Sequence, residues 1–72
     1  MSDYLDVIVE KAKLDELIGA GYRIASVTES LDGDLFRFAR ADGATKELLL
    51  LTADARKYAV GVLIAQLRNP PA

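Results

Sequence analysis

Two Asp-Gly pairs, Asp32-Gly33 and Asp42-Gly43, constrain this chain more than any other feature. Asp-Gly between apolar or alternating runs is a strong short-range hairpin signal, because glycine accepts backbone conformations closed to other residues. The segments they separate read as strands. Tyr22 to Glu29 (YRIASVTE) is rich in aromatic and β-branched residues. Asp34 to Ala41 (DLFRFARA) places Phe36, Phe38 and Arg40 on one face and Leu35, Arg37 and Ala39 on the other. Lys46 to Leu51 ends in four leucines, an unbroken run that implies cover on both faces of its strand. Three strands joined by tight turns make an antiparallel meander.

A helix follows at once. Thr52 is a suitable N-cap, and Asp54 complements the positive end of the helix dipole. Ala55, Tyr58, Ala59, Val62, Leu63 and Gln66 recur at helical spacing and are expected to face the sheet. Val60, Ile64 and Leu67 fall off that stripe. Gly61 costs about 1 kcal/mol against alanine in a helix interior, which makes sense where another helix or backbone approaches closely. Val60, Gly61, Ile64 and Leu67 are therefore the expected partner interface. Asn69-Pro70-Pro71 stops the helix, with 70–72 a frayed tail after a single domain over 1–69.

The N-terminal element allows two readings. As one helix, residues 3–20 carry Tyr4, Leu5, Ile8, Val9 and Ala12 on one side and Val7, Leu14, Leu17 and Ile18 on roughly the opposite side. A helix with two apolar faces would put one on its own sheet and one on a partner, with Ser2 or Asp3 as N-cap. The other reading breaks the element near Lys11–Lys13 and makes Leu5, Val7 and Val9 the inner face of a strand. Either way Leu14 to Ile18 is helical, and Gly19-Ala20-Gly21 provides its C-cap. The expected class is α+β in the order α-β-β-β-α, with the last helix packed on the sheet.

A domain of 72 residues buries only roughly 60% of its unfolded surface and usually needs a staple. No Cys is present for a disulfide, and with no His a structural zinc site of the usual type is excluded. Yet 51% of the residues are hydrophobic, more than one small core easily hides. A homodimer is the expected remedy, an unidentified protein partner the alternative. Residues 1–20 lack the basic and apolar regions of a signal peptide, and the four leucines are far too short to span a membrane. A soluble, cytoplasmic protein with no membrane contact is the expectation.

Chemistry is sparse. Without His or Cys, Ser26, Thr28 and Ser30 lack the usual activating base. The carboxylates Asp15/Glu16 and Asp32/Asp34 read as solvated charge, and Asp32-Gly33-Asp34 lacks the rest of a calcium loop. We expect no enzymatic activity and no cofactor. Charge is lopsided within a net of −2: residues 1–36 hold eight acids and three bases, residues 37–72 three acids and six bases. Arg37, Arg40, Arg56 and Lys57 could meet an anion or nucleic acid.

The element order is similar to that of double-stranded RNA-binding domains, over nearly the whole chain. That resemblance implies phosphate contacts from bases at the start of the last helix. The residues depart from it. Thr52, Ala53 and Asp54 stand where that family concentrates lysines, and the first helix and first hairpin loop are acidic where the family meets RNA. Nucleic-acid binding is therefore the second reading, behind a non-enzymatic interaction or regulatory module.

Overall fold

The computed structural model describes residues 4–69. The order is α1 (Tyr4–Gly19), β1 (Arg23–Glu29), β2 (Asp34–Ala39), β3 (Thr45–Leu50) and α2 (Ala53–Arg68). The strands form one antiparallel sheet in the order β1-β2-β3, as the two Asp-Gly turns predicted. The N-terminal element is a single helix, not a strand plus a short helix. The expected caps at Ser2 or Asp3, and the expected tail at 70–72, lie outside the described residues.

The C-terminus of α1 closes as a Schellman motif. The Tyr22 N–H reaches Leu17 O at 3.0 Å and the Gly21 N–H reaches Ile18 O at 3.1 Å, with Gly21 at φ 94°. Tyr22, buried, and Leu17, packed against the core, are the apolar pair that accompanies this motif. The second hairpin is a type I turn with glycine in the left-handed position. Gly43 N–H donates to Arg40 O and Arg40 N–H to Ala44 O, both at 2.9 Å. In the first hairpin the Ser30 N–H and hydroxyl both donate to Gly33 O, at 2.8 and 2.7 Å.

Phe36 and Phe38 of β2 are fully buried beside Leu14 of α1, Leu50 of β3 and Ala55 and Ala59 of α2. Both helices therefore lie on the Phe36/Phe38 side of the sheet. The other side carries the cross-strand pairs Leu35–Leu49 and Arg37–Glu47. This corrects one expectation: β3 is covered on one face only, with Leu49 44% and Leu51 52% exposed. The leucine run reflects an inward-facing pair, Leu48 and Leu50, interleaved with leucines that the chain itself leaves open.

Two long-range clasps fasten the helices to the sheet. Gln66 Oε1 accepts from the Ile24 N–H at 2.8 Å, and its amide donates to Ile24 O at 3.2 Å. The side chain thus substitutes for a neighbouring strand along the edge of β1, where the pairing shifts between Ile24 and Ser26. Gln66→Ala leaves both backbone groups without that partner. We expect a stability loss of about 1–2 kcal/mol in urea unfolding, with faster aggregation of the uncovered edge. The second clasp, Glu10 on Leu51 and Thr52, belongs to the helical layer.

Candidate functional site

The helical layer begins where α1 and α2 are tied together. Glu10 accepts hydrogen bonds from the Leu51 N–H (2.9 Å), the Thr52 N–H (3.0 Å) and the Thr52 hydroxyl (2.7 Å). Thr52 Oγ1 in turn accepts the Ala55 N–H at 3.2 Å, the N-cap expected of it. Burial would push the Glu10 carboxyl up. The Leu51 and Thr52 hydrogen bonds, with the charge of Lys13, outweigh it and hold the group below the ordinary carboxylate range. Further along, the Tyr58 hydroxyl donates to Asp15 and Lys11 lies 5.5 Å over the Tyr58 ring. Ile18 shares a surface hollow with Val62 and Ala65. The contacts at 10/52 and 15/58, with the hollow shared by 18 and 62 beyond them, show that the helices run side by side in the same direction.

Each helix is buried on one side and carries exposed apolar residues on the other. On α2, Ala55 and Ala59 are buried and Val62, Leu63 and Gln66 half-buried, as the helical period predicted. Tyr58 departs from that stripe. It turns to α1 and stays 39% exposed, because Asp15 and Lys11 give its ring and hydroxyl partners there. The four expected interface residues are all exposed: Val60 and Ile64 at 45%, Leu67 at 75%, and Gly61 with nothing outside its own helical backbone and chain neighbours within 4 Å of where a Cβ would stand. Packing within the chain thus gives no steric reason for that glycine. On α1, Leu14 is buried while Tyr4, Leu5, Ile8 and Val9 lie open.

The four bases do not assemble into one surface. Arg37 sits on the open face of the sheet, its guanidinium 3.0 Å from Glu47. Arg40 follows β2 at its far end, doubly bonded to Asp42 (3.0 and 2.9 Å) and 4.8 Å over the Tyr22 ring. Arg56 lies on the helical side of the sheet, 3.9 Å from Asp34 at the near end of β2, a strand about 20 Å long. Lys57, exposed beside it, has no carboxylate partner among the described residues. Sequence could place the bases on elements, but not reveal that cross-strand and turn carboxylates neutralise three of them.

The hydrogen bond and charge of Arg40, with the Ala44 N–H, hold Asp42 down to about 2, and Asp42 raises Arg40 in return. The hydrogen bond to Asp15 raises Tyr58 above 10. The shifts of Glu10, Arg40, Asp42 and Tyr58 all move away from neutral pH, deepening each group's resting state. No buried side-chain nitrogen or oxygen lacks a partner, and no group of three metal-ligating side chains occurs, among the described residues. No helix there is long and apolar enough to cross a membrane. Compared with known proteins, the chain matches no family model, no curated protein and no solved structure.

Proposed function

We propose that this protein is a small non-enzymatic interaction or regulatory module of the cytoplasm that acts as a homodimer through the outward side of α2. One observation carries the reading. Val60, Ile64 and Leu67, spaced four and three residues apart, make an exposed aliphatic stripe on a helix whose opposite side is buried. Such a stripe, beside a core of eight buried apolar residues among those described, is the mark of a surface that another protein covers. The nucleic-acid reading draws less support from the geometry, since Arg37, Arg40 and Arg56 are each engaged by a carboxylate and lie apart.

Sedimentation at micromolar concentration is expected to give a dimer in place of the 7.8 kDa monomer. Ile64→Asp, which sets a charge in the middle of the stripe, should raise the dissociation constant at least about a hundredfold without unfolding the exposed position. A wild-type chain that sediments only as monomer would remove the homodimer, and a dimer indifferent to Ile64→Asp would move the interface elsewhere.

A further inference from the structure

Because α1 and α2 lie on one side of the sheet and run in the same direction, their outward sides form a continuous layer that no other element among the described residues covers. On α1 this surface presents Leu5, Ile8 and Val9, which are 67%, 44% and 50% exposed. On α2 it presents Val60 and Ile64. The two helices differ in charge. Within Tyr4–Gly19 four acids face two bases, a net of −2; within Ala53–Arg68 three bases face one acid, a net of +2. At 100° per residue the outward side of α1 includes Glu16 and that of α2 includes Lys57 and Arg68, all three exposed.

Resting on the homodimer reading above, we infer that a second copy of this chain docks layer to layer, α1 of each protomer lying on α2 of the other. A two-fold axis parallel to the helices and between them produces this arrangement, with two identical α1–α2 contacts. The axis keeps residues at their own level along the helices. Asp15 is level with Tyr58 within one protomer, so Glu16 comes within about one turn, roughly 5 Å, of Lys57 of the partner subunit.

Charge decides against the alternatives. Placing α1 on α1 would bring two net-negative helices together, and placing α2 on α2 would stack Lys57 and Arg68 against their copies. Like charges across an interface suppress such pairings. Gly61, outward and unobstructed, leaves room for the opposing helix to come close. Two helices of 16 residues, about 24 Å long and 10 Å apart, outline roughly 500 Å². Corrugated by side chains, that outline approaches the ~600 Å² per partner of the smaller specific interfaces.

Charge exchange on the full chain tests this, with dissociation constants from sedimentation equilibrium and folding checked by circular dichroism. Glu16→Lys and Lys57→Glu, both at exposed positions, should each weaken the dimer about five- to tenfold. The double variant should return to within about threefold of wild type, because each reversed pair is again opposite in sign. A dimer that Lys57→Glu tightens overturns the arrangement in favour of α2 on α2. One that neither reversal changes, but that Leu49→Asp dissociates, overturns it in favour of the open sheet face. A wild-type chain still monomeric at about 200 µM fails the homodimer reading itself, and this arrangement with it.

Discussion

Gly33→Ala is expected to lower the stability of this protein by at least about 2 kcal/mol, and its melting temperature by roughly 10 °C or more. A Cβ at position 33 would stand 2.6 Å from Leu50 O and 2.9 Å from Leu51 Cδ2. The nearer obstacle is backbone, and it cannot swing aside as a side-chain tip can. Asp34 pairs with Leu50, so the residue before it lies against the end of β3 just where the chain turns into α2. Relief of the clash would have to move the strand end, and with it the Leu51 and Thr52 groups that Glu10 holds. Gly43→Ala is the informative comparison. It has the same Asp-Gly chemistry and a φ of 93°, but nothing beyond its own chain neighbours lies within 4 Å of its Cβ position. Its cost should be only the left-handed backbone, about 1 kcal/mol. Urea unfolding of both variants at one protein concentration checks the pair, and equal losses would mean that the approach to Leu50 does not matter.

Glu10→Ala should cost about 2–3 kcal/mol, because three hydrogen bonds to a charged acceptor disappear together. Thr52 is only 2% exposed, so water does not easily replace the carboxylate there. The same clasp makes stability depend on acid. The unfolded chain binds a proton at Glu10 near the ordinary value of 4.5, the folded chain only at lower pH. The contribution is therefore complete above 4.5 and is lost as pH falls below it through the folded value. Asp42, held near 2 by Arg40, adds to the same acid limb. Chemical denaturation between about pH 7 and 3 should show a shallower fall for Glu10→Gln than for wild type, with Asp42→Asn as the control for the second carboxylate. Identical slopes in wild type and Glu10→Gln would overturn the assignment.

The meander was legible because its signals are local: a turn is decided by the two residues at its tip, and strands by alternation over six or seven positions. The two-sided helix at the N-terminus was legible as a pattern but ambiguous as a conformation. Val7-Ile8-Val9 favours a strand locally, and the helix prevails because Leu14, Leu17 and Val7 share one face that the sheet can bury. The N-cap at Thr52 and the exposed stripe at Val60, Ile64 and Leu67 follow from helical spacing alone. Tyr58 left the expected core stripe because its hydroxyl and ring found partners on α1, 43 residues away. Nothing near position 58 records that distance.

What the sequence determined by itself was the order of the three strands and the last helix, the turns, and the excess of apolar positions over one core, since each depends on neighbours within a few residues. Tertiary structure alone decided three further matters. It put both helices on the same face, leaving Leu49 and Leu51 open where the leucine run implied cover. It paired Arg37, Arg40 and Arg56 with Glu47, Asp42 and Asp34, so that the bases form no common patch. And it clasped Glu10 to Thr52 and Gln66 to Ile24 across 42 residues of chain. The physical reason is the same in each case. A backbone donor or a carboxylate takes whichever complementary group the packed chain brings within about 3 Å, and that choice is made only when the elements meet.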